Sequence, residues 1–369
     1  NYAYYNGGAV YLENASITIQ NNLFEANRCG QTFAYYGYGG GLCTDWGIPV
    51  IRRNTFTLNS STGIAGGLCV RFSDCMVSHN IFDNNFSALG GGFGILHVDT
   101  CRYVISNNLV INNGAEFFGA GISTNNCSPT YVNNTICNNH CEGGGGGFYC
   151  KDSVVPVLYN NILFGNTQYG GESNQVYLWD LLAQPDFYFN NVEGGFENFA
   201  GTGGNAFSGV WENNLDQPPQ FEPGTWLPET GSSCINTGCP DTTGLMVPET
   251  DLAGLSRIVD EIIDMGAYEN QQPVHTSEIP ESGFVFHSPT PNPATEKVHF
   301  SFGFSTPGRL VFYITDLSGN VKGQIYNGFV DPGRHEFSYT PDQELPAGTF
   351  LAVAEFNGKT NIRRVIILR

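Results

Sequence analysis

The sequence predicts an all-β chain, a parallel β-helix (solenoid) followed by a small β-sandwich. Three observations carry that expectation. An apolar motif flanked by Asn returns every 26 to 32 residues through the first half. A Gly-rich strand entry precedes nearly every copy. Past residue 283 the repeat stops and alternating apolar–polar strands take over. Repeats of roughly 20 to 50 residues mark solenoids and arrays, and strands this short leave no room for a helix in each unit.

The motif reads NNLFEAN at 21–27, NTFTLN at 54–59, NIFDNN at 80–85, NLVINN at 108–113, NTICNN at 134–139 and NILFGN at 161–166. Its anchors are Asn22, Asn54, Asn80, Asn108, Asn134, Asn161 and Asn191. Two residues after each anchor lies an apolar column, Phe24, Phe56, Phe82, Val110, Ile136 and Leu163. Twelve residues before lies another, Val10, Leu42, Leu68, Leu96, Ile122 and Tyr149. Strand alternation turns both inward, and stacking of coils at about 4.8 Å places like on like. A coil must bend between strands, and Asn suits the bend because it tolerates left-handed dihedrals and its amide both donates and accepts. The Gly runs (GGAVYL, GGGLCT, GGLCV, GAGIST) are never followed by GK[ST], so close backbone packing explains them better than phosphate binding.

Charge divides the chain. Residues 1–280 hold 7 Lys+Arg against 26 Asp+Glu, whereas residues 281–369 hold 8 against 8, so the net −19 belongs to the repeat. A body this acidic repels phosphates, which excludes nucleic acid as a partner. No run of about 18 apolar residues is present to span a bilayer as a helix. Eleven Cys favour an oxidising, extracytoplasmic setting. Residue 1 sits in mid-repeat, so further sequence is expected upstream, and an open first coil is a surface for end-to-end assembly.

These features resemble the right-handed parallel β-helix proteins of the pectate-lyase-like superfamily over residues 1–270. The segment from Ser232 to Glu269 is similar to the closing segment of surface β-helix proteins from Bacteroidota. Asp251, Gly254, Arg257, Asp264, Gly266, Ala267, Tyr268 and Glu269 carry the likeness. Its expected role, over about 194–269, is to cap the open end of the solenoid. A polar linker, 270–283, then leads to residues 284–369, which resemble the C-terminal sorting domain of the type IX secretion system. The matching elements are Pro291-Asn292-Pro293, Asp316-Leu317-Ser318-Gly319, Leu345-Pro346-Ala347-Gly348 and the basic strand Arg363 to Arg369. The fold expected is therefore a right-handed parallel β-helix followed by a small Ig-like β-sandwich. The resemblance implies export through the periplasm and outer membrane to the cell surface or medium. Its implied partner there is an outer-membrane shuttle barrel that reads the C-terminal domain.

Two functions fit the repeat. One is a binding, adhesin or structural module touching glycan or protein; the other is a polysaccharide lyase or glycoside hydrolase. A lyase needs a cationic base, for which Arg71, Arg102 and Lys151 are the candidates. Nine residues before the anchors lie Glu13, Asp45, Asp99, Asn125 and Asp152, interrupted by Arg71. Such a column caps turns, holds calcium at Asp45, Asp99 and Asp152, or supplies a hydrolase's carboxylates. No other cofactor is suggested, and no transition-metal spacing occurs. Cys43 with Cys69, Cys101 with Cys127, Cys137 with Cys141 and Cys234 with Cys239 are disulfide candidates. Tyr35, Tyr36 and Tyr38, then Phe117 and Phe118, gather in loops after the second Asn, where exposed rings suit stacking on sugars or burial against protein.

Overall fold

The computed structural model describes the chain apart from residues 32–35, 98–103, 153–154, 260–261, 272–283, 288, 290, 293, 296, 342–344 and 369. It forms two compact units, Asn1–Gln272 and Pro273–Arg369, divided inside the expected linker.

In the first unit each full coil adds one short strand to each of four parallel sheets. One coil supplies Arg28–Cys29, Leu42–Asp45, Val50–Arg52 and Thr55–Thr57 to the first, second, third and fourth sheets. Stacked coils build sheets of six, seven, eight and seven strands among the described residues. Pairing is parallel and in register, so Leu42 faces Leu68 and Leu68 faces Phe93.

Two ladders of Asn side chains run along the corners of the fourth sheet. In each, the backbone N–H and Nδ2 of one Asn donate to Oδ1 of the Asn one coil further on. The first ladder is Asn22, Asn54, Asn80, Asn108, Asn134, Asn161, Asn190 and Asn214. The second is Asn27, Asn59, Asn85, Asn113, Asn139 and Asn166, after which Gln175 Oε1 takes the next place. From Asn54 and Asn59 onward, each Nδ2 also donates its second hydrogen to a backbone carbonyl of the preceding coil, as Asn134 Nδ2 donates to Ile105 O at 2.9 Å. Only a primary amide closes this pattern, since a carboxylate lacks donors and would stack charge on charge.

Two expectations about the corners are corrected here. The seventh anchor is Asn190, not Asn191; two adjacent Asn gave the motif two possible origins. The left-handed residue is not the ladder Asn but the one before it: Asn21, Arg53, His79, Asn107, Asn133, Asn160, Phe189 and Asn213 all have φ between 53° and 58°. The ladder Asn is reserved for hydrogen bonding, and its neighbour makes the bend.

Phe24, Phe56 and Phe82 stack inside the shaft with centroids 4.6 and 4.9 Å apart, followed by Val110, Ile136 and Leu163. The facing column is Val10, Leu42, Leu68, Phe93, Ile122, Phe148 and Val176. Leu96 and Tyr149, expected in it, point outward. Their coils are longer between the second sheet and the anchor, so counting twelve back from Asn108 or Asn161 stops short of Phe93 and Phe148.

The segment expected as an end cap is divided between two tasks. Through Asn214 it still completes coils, and at the last of them Phe199, Phe207 and Trp211 pack on Phe187 with centroids 5.2, 6.3 and 5.4 Å away. From about residue 216 the chain turns back along the side of the solenoid. There it docks on the left-handed corner residues themselves. Arg53, His79 and Asn107 reach Thr250, Asn133 Nδ2 donates to Asp264 O at 2.7 Å, and Asn160 Oδ1 accepts from Cys239 N at 2.7 Å. Arg257, 1% exposed, folds this strap on itself by donating to Gly266 O, Asp264 O and Glu269 Oε2 at 3.0, 3.1 and 2.9 Å. The strap thus covers the apolar flank of Leu109, Ile111, Cys137 and Ile162 instead of closing an end.

The second unit has an antiparallel sheet of Phe284–Phe286, Val298–Phe304 and Gly333–Tyr339 and another of Val321–Val330, Gly308–Thr315, Gly348–Phe356 and Lys359–Ile367. Phe286, Phe300 and Phe302 of the first sheet pack edge-on against Phe312 of the second, forming one core.

The ladder yields a direct expectation. Asn134→Ala removes the side-chain donor to Ile105 O and Asn161 Oδ1 and takes the Oδ1 acceptor from Asn108, all within a buried corner. Urea unfolding should register a loss of about 3 kcal/mol. The same change at exposed Asn205, which lies outside the ladder with φ −62°, should shift stability by under about 1 kcal/mol.

Candidate functional site

The candidate residues fall mainly on the outer wall of the second sheet. Alternation there presents two outward columns. One holds Tyr11, Cys43, Cys69, Gly94, Ser123, Tyr149 and Tyr177; the other holds Glu13, Asp45, Arg71, Leu96, Asn125 and Lys151. Asp45, Arg71 and Lys151 therefore do share a column, with Arg71 and Lys151 three strands apart, roughly 14 Å. Asp152 lies one residue past it at the corner. Asp99 and Arg102 fall outside the described residues.

The N-terminal half of the wall is closed on itself. Arg71 grips Asp45 with two nitrogens, Nε to Oδ1 at 2.7 Å and Nη2 to Oδ2, while Tyr11 Oη donates to Asp45 Oδ2 at 2.9 Å. The guanidinium also lies 4.0 Å over the ring of Tyr38. Burial and the Asp45 carboxylate push the Tyr11 hydroxyl up to about 12. Burial, the largest single influence, opposes the charge on Arg71, but the hydrogen bond to Asp45 together with the neighbouring negative groups outweighs it and holds the guanidinium above its ordinary range. A permanently protonated, paired Arg71 is no general base. Asp45 has likewise spent its oxygens, and it stands four coils from Asp152, so the calcium candidates are not brought together. Among the described residues no cluster of three His, Cys, Asp or Glu could hold a metal ion.

The C-terminal half stays open. Trp179 continues the Lys151 column and is 42% exposed, with Lys151 Nζ 5.5 Å from its ring centroid and 3.9 Å from Asp152 Oδ2. Behind it Phe118 packs on Tyr149, Tyr177 and Trp179 at 5.3, 4.9 and 5.4 Å, fixing the indole. A shallow hollow of about 540 Å³ lies in front, lined by Asp152, Trp179, Asp180, Leu181, Leu182 and Thr202. Asp180 is spent as a turn cap, accepting from the amides of Asp152, Leu182 and Ala183. Of the expected loop aromatics, Tyr38 and Phe118 are packing residues, Tyr36 and Phe117 are exposed at 59% and 46%, and Tyr35 lies outside the described residues.

Residues 9–192 match the family model described as "Right handed beta helix region". That stretch is a right-handed beta helix region. A metabotropic glutamate receptor-like protein R of Dictyostelium discoideum is 26% identical over 184 residues, 47% of this chain and 10% of that protein. The chain thus spans about a tenth of the length of that relative. No solved structure matches.

Sequence reasoning missed two features of this beta helix. Trp179 belongs to a coil whose Asn was misplaced, so its register with Lys151 was hidden. Trp46, Phe72 and His97 stack at 4.7 and 5.4 Å on an exposed corner, each with φ between 51° and 63°, where other coils place Asn14, Asn126 or Asp152. Aromatics immediately after the second-sheet strands were the available signal.

The ten described cysteines are free thiols. Cys43 and Cys69 do stand opposite one another, buried beneath Tyr38 and Ile64. Cys127 lies in the main core, and its expected partner Cys101 is outside the described residues. Cys137 and Cys141 belong to separate clusters. Cys234 accepts from Asn191 Nδ2, whereas Cys239 approaches the Asp241 carbonyl. In the second unit, Asn292 clips the last strand through Arg364 O and Ile366 N, and Pro291 is exposed beside it; Pro293 is outside the described residues. Asp316 caps the hairpin turn through Ser318 N and Asn320 N, with Gly319 at φ 86°. Pro346 is an exposed residue of the approach to the strand that Gly348 opens.

The closed half can be tested directly. Arg71→Met leaves Asp45, whose side chain is 9% exposed, without its counter-charge. Chemical denaturation should show a loss of about 2 kcal/mol, and the double variant Asp45→Asn with Arg71→Met should lose less.

Proposed function

We propose that the chain is a surface-displayed binding module whose beta helix holds glycan at the open end of the second-sheet wall. The observation that carries this is Trp179: an indole braced by three aromatic rings, half open to solvent, with an ammonium, a carboxylate and a hydroxyl around it. Sugars present C–H faces to such rings and hydroxyls to such polar groups, and a body of net charge −19 disfavours polyanionic polymers. Glycan-array binding should fall by about tenfold in Trp179→Ala, equivalent to about 1.4 kcal/mol, with Phe117→Ala smaller. Retention of full binding in Trp179→Ala would remove the proposal.

A lyase or hydrolase is the second reading, favoured only by Lys151 and Asp152 beside that ring. Release of unsaturated uronate or new reducing ends, lost in Lys151→Met, would put catalysis in place of binding.

The second unit is proposed as a type IX sorting domain that sends the protein to the cell surface and is read by the outer-membrane shuttle barrel. Its support is the resemblance of the motifs around Asn292, Asp316 and Gly348. Deletion of residues 284–369 in the producing cell should leave the beta helix in the periplasm. Surface exposure of the truncated chain, by protease shaving, would refute the export route.

A further inference from the structure

The outer face of the first sheet carries a concavity unconnected with the second-sheet wall. Arg28, Ser60, Phe86 and Gly114 are register neighbours on four successive coils. The Phe86 ring meets Gly114 by its edge: a Cβ there would fall 2.9 Å from Cδ2 and 3.4 Å from Cε2, the nearest ring atoms. Phe86 is 52% exposed, so the rest of the ring stands open as an apolar wall. The groove above it encloses about 380 Å³, with Gln31, Ser60, Ala88 and the charged pair Arg28 and Glu116 among its lining residues.

The charges stand at opposite ends. Arg28 lies on the strand Arg28–Cys29 and Glu116 on Gly114–Phe118, three strand spacings away, roughly 14 Å. Among the described residues neither forms an ion pair, although the body has 26 carboxylates for its 7 cations. A cation with no ion-pair partner among the described residues, facing a groove with an aromatic wall and a similarly placed carboxylate at the far end, specifies its occupant by charge complementarity.

We propose that this groove binds short zwitterionic peptides, with the C-terminal carboxylate at Arg28, an apolar side chain on Phe86 and the N-terminal ammonium at Glu116. An extended tripeptide spans about 10 Å. The side chains of Arg28 and Glu116 reach inward over the remainder. Arg28 can bind a carboxylate with two parallel N–H donors, and Gln31 and Ser60 can serve the peptide backbone. A neutral sugar would use the ring and leave both charges idle.

The test is calorimetric titration of the full chain with Gly-Phe-Gly, its N-acetyl form and its C-terminal amide, with cellobiose as the neutral probe. The free tripeptide should bind, and each blocked form should bind at least tenfold more weakly. Arg28→Gln should abolish the discrimination against the amide alone, and Glu116→Gln the discrimination against the acetyl form alone. Both side chains are on the surface, and an unchanged thermal midpoint will show that the variants fold. Equal affinity for free and blocked peptides, absence of peptide binding, or cellobiose binding that survives Arg28→Gln would each overturn the proposal. Trp179→Ala should leave peptide binding intact, so the two sites fail or stand separately.

Discussion

The amide-to-amide hydrogen bond between stacked Asn side chains is the interaction on which the first unit rests. A coil of four strands must turn several times, and every turn removes backbone groups from the sheet ladders while keeping them near a dry shaft. The Asn ladders answer this at the two tightest corners. Each amide joins its own coil, the coil before and the coil after, so the corners become as continuous along the axis as the sheets between them. That continuity fixes register, because a slip by one residue would put Phe56 or Ile136 outside and an amide in the shaft.

Division of labour at the corner has a wider consequence. The ladder residue must be Asn, but the left-handed residue before it needs only to tolerate positive φ and is free to vary. Arg53, His79, Asn107, Asn133 and Asn160 occupy that freedom, and the returning strap docks on them. The buried Arg257–Glu269 pair and its surrounding carbonyls then hold the strap's shape. The solenoid thereby acquires a lateral brace besides its axial ladders.

Electrostatics decides which part of the surface is left for ligands. Along the second-sheet wall the charges of Asp45 and Arg71 satisfy each other and Tyr38 covers them, so that half of the wall is closed. Lys151 and Trp179 remain partly exposed, the ammonium held only loosely between the Asp152 carboxylate and the indole face. On the first sheet, Arg28 and Glu116 are too far apart to neutralise one another. Availability, more than residue type, separates these positions.

Local counting along the chain finds the repeat, the inward Phe24–Leu163 column and the amide corners because they recur at a near-constant interval, and a single shift of charge and pattern marks the change of module near residue 280. Counting failed where coil length changed: Leu96 and Tyr149 were placed inside, Asn191 was taken for Asn190, and Trp179 went unnoticed. Only tertiary structure decided that Arg71 is locked to Asp45 and that residues 216–270 run along the flank. It alone decided that Phe86 stands open beside Gly114. Those facts depend on which residues of different coils become neighbours, and that is set by loop lengths and side-chain geometry that no single coil contains.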